Sequence, residues 1–286
     1  MGNLERVFEK VEKLINDGNL SFDYGFHLIN KNYSTGKNYT GMFNNLVLSI
    51  ARSQYNYRFP YWIGFNQALK SYIPIKKGEA GVPILIRKTK NVFIKDGLEI
   101  DNEEDADYSK VSSFYSEIHV FNIEQTNVDL ESVNKYNFSE DTTELNKLLD
   151  KYLAVENIDI VKGHGVCSYN IVQDKIKMVD EDSFYDKLAY SEALTHEIVH
   201  STGHEKRLSR NMNVVDANVR ADEEIIAEFG TMMILSEYEL ERRDKDMAFY
   251  IRSWLKDNNI KDIYSLCLQS QKAVDYIKKT KIREEL

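Results

Sequence analysis

A chain of 286 residues, 42% hydrophobic and 12% aromatic, has room for two domains of roughly 130 to 150 residues and carries more core-forming side chains than a disordered polymer. Only Cys167 and Cys267 are present, which excludes a disulfide framework or a thiolate zinc cluster, so any metal must rely on His and carboxylate ligands. The net charge of −9 is unevenly spread: the window 31–95 holds eleven Lys or Arg and a single acid, Glu79, so it carries +10 and the remainder −19.

The N-terminus runs straight into an amphipathic pattern. Leu4, Val7, Phe8, Val11, Leu14 and Ile15 form one helical stripe that predicts a docking helix over 4–17, stopped at Gly18. A turn-rich patch follows at 30–41, then a helical run at 42–55, then a stretch at 58–68 interrupted by Pro60. A tight turn at 76–81 leads into strands predicted at 82–87, 91–95 and 117–123, with the acidic stretch 101–107 as a solvated loop. The polar run 124–143 reads as an interdomain connection with its boundary near 135. Beyond it come a helix at 142–153, strands at 158–161 and 168–172, and a strand at 175–179 pairing onto the second; from 183 the pattern is mostly helical. The fold class is therefore α+β in two domains, 1–135 and 136–286. No run of about 18 apolar residues occurs and no leader is signalled, so the expectation is a cytoplasmic protein without a membrane partner.

Ser183-Phe-Tyr-Asp186 has the form of a capping box, predicting a helix from there to Ser201. On it His196 and His200, four residues apart, project from one face and can share an ion. Glu197 lies beside them, placed to take a proton from a water attacking a carbonyl. A catalytic zinc needs a third protein ligand and an open position. A histidine six residues after the second would be one solution, but that position is Lys206, even though Gly203 keeps the glycine of that pattern. A glutamate on the next helix is the other. Ile225, Ile226, Phe229, Met232 and Met233 mark the apolar stripe of that helix. Glu223 falls opposite its centre and is expected in solvent, whereas Glu224 and Glu228 share its margin. Glu224 is taken as ligand and Glu228 as the acid that orients a histidine, with the reverse left open. His204 is a structural or substrate-facing residue or an alternative ligand. Arg207 and Arg210 read as helix-end and loop charges. Tyr185 and Tyr190 either approach an oxyanion or pack in the core, and the strand at 168–172 offers an edge to an extended peptide. Zinc suits this donor set, as do other divalent first-row ions.

In the window 31–95 the cations alternate with aromatics such as Tyr39, Tyr61 and Trp62, a mixture that suits a single strand, whose bases stack while Lys and Arg follow the phosphates, and that also arises in an ordinary core. Asn38-Tyr-Thr-Gly41, Phe59-Pro-Tyr-Trp62 with Gln67-Ala68, and Lys77-Gly-Glu-Ala-Gly81 resemble the signature of the single-stranded-DNA-binding domain of ArdC-type antirestriction proteins of plasmids and phages. His196-Glu-Ile-Val-His-Ser-Thr-Gly-His204 with Arg207-Leu208 and Arg210, followed by Glu223-Glu-Ile-Ile-Ala-Glu228, resembles that family's metallopeptidase domain. The resemblance implies binding of single-stranded DNA entering a cell, its protection from host restriction, and a zincin-type fold. DNA contacts are then expected at Lys37, Tyr39, Arg52, Arg58, Tyr61, Trp62, Lys76 and Lys77. The competing reading is a cytoplasmic metallopeptidase that cleaves a host protein recognised by its N-terminal half.

Overall fold

The computed structural model describes residues 3–17, 28–163, 165–212, 215–240, 253–255 and 258–280. Helix α1 (Asn3–Asp17) buries Val7, Phe8, Val11 and Ile15 and leaves its charged positions in water. Gly41, at φ 85, makes the turn into α2 (Met42–Gln54), a backbone angle that side chains with a Cβ rarely adopt. Around these two helices lies a five-stranded sheet, in the order β1-β2-β5-β3-β4, made of β1 (Lys31–Asn32), β2 (Tyr61–Gly64), β3 (Val82–Lys95), β4 (Leu98–Ile100) and β5 (Tyr108–Asn122). A short helix, α3 (Phe65–Lys70), follows β2.

The strands of this sheet depart from the sequence expectation. Instead of separate segments at 82–87 and 91–95, β3 is continuous, and β5 begins at Tyr108 rather than 117; the two pair from Val82↔Val120 to Ile94↔Tyr108. The tract Lys88-Thr-Lys-Asn91 lacks an apolar alternation because the ribbon stands free of the core there, and backbone pairing needs no buried face. Chain register, rather than hydrophobicity, carries the ribbon.

Residues 126–142 contain only a 3-10 turn and isolated bridges before α4 (Thr143–Glu156), which ends on Asn157 in the left-handed region. A second sheet, in the order β6-β8-β7, comprises β6 (Asp159–Lys162), β7 (Ser168–Asn170) and β8 (Lys175–Met178), so β7 is an edge strand. Helices α5 (Lys187–Ser201), α6 (Ala217–Glu237) and α7 (Ile260–Lys279) follow, with described helical residues at 253–255 between the last two. One apolar cluster runs from Val7 and Leu46 through Leu149 and Phe229 to Ile277 and does not divide at residue 135. Tyr264 of α7 packs between Phe8 and Phe43, with ring centroids 5.1 and 5.0 Å away, and Lys31 of β1 pairs with Glu239 beyond α6. No described helix is long and apolar enough to cross a membrane.

Candidate metal centre

Helix α5 is started by Asp186, whose Oδ1 accepts from the Ala189 N–H at 2.8 Å; residues 181–183 form a separate 3-10 turn. The expected start at Ser183 is thus corrected, because the aspartate three residues on supplies the acceptor that the first turn needs. From this start, His196 and His200 fall on one face with Nε2 atoms 3.0 Å apart. Helix α6 crosses beside it. At Gly230 a Cβ would stand 2.8 Å from a methyl carbon of Val199, so only a glycine lets the two helices approach this closely.

That approach delivers three carboxylates. Glu224 Oε2 lies 3.4 Å from His196 Nε2 and 3.7 Å from His200 Nε2. Glu228 Oε1 is 3.1 Å from His196 Nδ1, and Glu223 Oε1 is 3.1 Å from His200 Nδ1. With both Nδ1 atoms donating to carboxylates, both Nε2 atoms turn lone pairs toward each other and toward Glu224. Three acceptors in mutual contact repel unless a cation lies among them. Ligands of a tetrahedral ion with bonds of about 2.0 to 2.2 Å lie roughly 3.3 to 3.6 Å from one another, close to the spacings here. His196, His200 and Glu224 form the candidate metal-holding group found among the described residues.

The electrostatics carry the same imprint. Burial pulls the His196 pKa down, but its bonds to Glu224 and Glu228 outweigh this and raise it to about 10; a proton there fills the role of a cation. When protonated, the two histidines donate to Glu224 and hold it well below the usual carboxylate range. Glu197 is 7% exposed and also accepts from the Tyr169 backbone N–H. Burial pushes its pKa up against the pull of both histidines, as suits a base.

Glu223 corrects an expectation. It is buried rather than solvated, and Arg210 grips it through Nε at 2.9 Å and Nη2 at 2.6 Å. Burial alone would raise its pKa; Arg210 and His200 lower it. The assumption of a one-sided helix failed because α6 is buried on nearly all sides from Ile225 to Leu235. The nearly unbroken apolar run 225–235 was the signal for this, since a helix hydrophobic all round has no solvated face. Arg210 and Arg207 are likewise interior residues, not surface charges. Arg210 also binds Thr202 Oγ1 and the Val199 carbonyl, in space that a Cβ on Gly203 would take. Arg207 donates to the Ser201 carbonyl at 2.7 Å and to the Tyr169 hydroxyl at 3.0 Å, and it pairs with Asp174. This ties the β7–β8 turn to the end of α5.

The cavity over these groups, about 290 Å³, is lined by β7 residues Ser168 and Tyr169, by Cys167, and by Val219 and Arg220 of α6. His204 accepts at Nδ1 from the Lys206 N–H and faces Asp174, away from the three candidate ligands. Tyr185 is exposed and Tyr190 packs on Phe184; neither is among the residues lining the cavity.

The expected DNA contacts divide. Lys37, Arg58, Lys76 and Lys77 are exposed, with Arg58 and Lys76 converging on Glu124. Trp62 is fully buried and donates to Asn30 Oδ1 at 2.8 Å, and Arg52 is buried on α2, which draws its pKa down to about 10. These two are core residues, because β2 is sandwiched on both faces and position 52 shares the inner face of α2 with Leu48 and Ser49. Tyr39 is largely buried, its hydroxyl accepting from Asn32, and Tyr61 packs against Phe59 and Tyr33.

Two family models match: the N-terminal domain of the anti-restriction factor ArdC over residues 4–121, and a zincin-like metallopeptidase, MPTase-PolyVal, over 147–263. The crystal structure of the antirestriction ArdC protein from the R388 plasmid, in metal-free and Mn(II)-bound forms, aligns over 98% of each chain with a TM-score of 0.68 at 24% and 25% identity. A DNA primase TraC of Escherichia coli is 24% identical over 86% of this chain, which spans only 24% of that primase. The uncharacterized protein y4eC of Sinorhizobium fredii is 25% identical over 86% of this chain and 80% of its own length.

Proposed function

We propose, for a chain that belongs to the ArdC-like antirestriction proteins by its N-terminal domain and by the zincin-like metallopeptidase domain behind it, that it binds single-stranded DNA of a mobile element and holds a metal-dependent peptidase-type site. The observation that carries the second half is the meeting of His196, His200 and Glu224 around one point, with each histidine's far nitrogen tied to its own carboxylate.

In this reading His196, His200 and Glu224 hold the ion, zinc or another divalent first-row metal, while Glu228 and Glu223 fix the two imidazoles. A zinc-type ion supplies Lewis acidity there. Glu197 takes up a proton at its carboxylate, which its burial makes more basic than a surface glutamate. The free edge of β7, pinned through Tyr169 to Arg207 and Asp174, aligns an extended peptide by backbone pairing across the cavity. The family model and the acid beside the first histidine support this chemistry.

Two measurements test the pair. The full-length protein should bind a labelled single-stranded oligonucleotide with an affinity that falls steeply as salt rises; absence of binding at low ionic strength removes the DNA half. Glu197→Gln should keep the metal and abolish peptide hydrolysis. Antirestriction that survives this change would place the biological effect in DNA binding rather than proteolysis.

A further inference from the structure

The β3–β5 ribbon is longer than the strands expected at 82–87, 91–95 and 117–123, because it runs unbroken through its polar middle. Only two strands thick between the base of the sheet and β4, it leaves Arg87 to Asn91 and the facing residues 113–115 of β5 exposed. Residues directly opposite share a face, and alternate residues repeat it about 6.6 Å further along. The register Lys88↔Phe114, Lys90↔Ser112 and Val92↔Lys110 therefore sets three lysines and an aromatic ring on one face. The ring of Phe114 is 41% exposed, unusual for a phenylalanine with no structural task in the open. Between Ile86 and Val92 and their partners this face carries no acid; Glu117 belongs to the other face, where Lys10 of α1 pairs with it.

We propose that this face, Lys88, Lys90 and Lys110 with Phe114, is where single-stranded nucleic acid lies. The inference rests on the DNA-binding reading above and names a surface that the expected contacts at 37–77 do not include. Charge complementarity argues for the occupant: lysines in steps along a ribbon follow a phosphate chain, and an exposed ring between them accepts a stacked base of any sequence. The turn beyond, 96–107, carries seven acids and no Lys or Arg, so a polyanion is repelled from the tip and directed to the stem. Lys90 reaches Glu99 at 3.1 Å, an exposed pair that a phosphate can replace at little cost.

The test uses the full-length protein and a fluorescent oligothymidine of about 20 nucleotides, read by anisotropy across a salt series. The double variant Lys88→Glu with Lys110→Glu should lose at least about tenfold in affinity, and its salt slope should shrink by about 1.4, near 0.7 per lost phosphate contact. Phe114→Ala should weaken binding by about tenfold, and Phe114→Trp should restore it. Lys261→Glu with Lys272→Glu, both exposed on α7, is the charge-matched control and should bind as the wild type does. Thermal melting of each variant, expected unchanged for exposed residues, separates lost binding from lost fold. Wild-type binding with undiminished affinity in the ribbon variants overturns this surface and leaves the DNA reading standing. No wild-type binding overturns both. A preference for duplex of the same sequence over the single strand overturns the occupant.

Discussion

The candidate metal centre is built from groups that each hold a partner, buried behind an exposed Glu224, whereas the exposed cations of the N-terminal half stand on loops and a ribbon in water. Behind His196 and His200 the polar groups are buried, with only Glu224 reaching solvent, so each buried position is dictated by a neighbour: Glu228 and Glu223 by the histidines, Arg210 by Glu223, Gly203 by Arg210. On the ribbon, Lys88 and Lys90 are placed by backbone register, and Lys90 adds only an exposed pair with Glu99. Desolvated networks fail as units when one member is lost, while exposed charges act additively and through salt. The two halves should therefore respond to mutation in opposite ways.

The largest effect is expected at the ligands: His200→Ala should abolish stoichiometric metal binding in calorimetry, since two remaining donors do not make a tight site. Next comes Arg210→Leu. It takes the guanidinium from buried Glu223 and leaves that carboxylate with His200 Nδ1 alone, and denaturant melts should show a loss of about 3 to 5 kcal/mol. Glu228→Gln, which keeps the shape but weakens the hold on His196, should cost about 10- to 100-fold in metal affinity with less change in stability. Gly230→Ala forces α6 off α5 and should destabilise by about 1 to 3 kcal/mol. If Arg210→Leu proves as mild as a surface substitution, the contrast between the halves is broken.

A pH series sharpens it. In the metal-free protein the His196 pKa is raised from 6.5 to about 10, so its protonated form contributes stability that is full below pH 6.5 and lost as pH rises through about 10. Metal must displace that proton. Metal affinity should accordingly rise with pH across the same window, with proton release seen as a buffer-dependent heat in calorimetry.

Much of the metal centre was legible because its information is local. Two histidines four apart and acids at 224 and 228 are fixed to faces by helical geometry alone, and the structure brings those residues together. Glu223, Arg207 and Arg210 were not legible, because their roles depend on how deeply α6 and the 202–210 turn are buried, a tertiary property that period counting does not report. The N-terminal half shows the reverse. Its charge excess was visible in composition, but Arg52 and Trp62, which looked equivalent to Lys37 and Lys77, are interior, and the exposed cations of the ribbon lie in a strand whose polar stretch broke the expected alternation. Surface position follows from pairing with distant residues, and one sequence does not encode that in any short window.

The central claim is that one divalent ion is held by His196, His200 and Glu224, with Glu223 and Glu228 behind the histidines. Crystals grown with zinc or manganese and measured at the metal's absorption edge test it most directly. The account predicts a single strong anomalous peak about 2.0 to 2.2 Å from Nε2 of both histidines and from a Glu224 carboxylate oxygen. A peak coordinated by Glu228 or His204 in place of Glu224, or none at these residues, would contradict it.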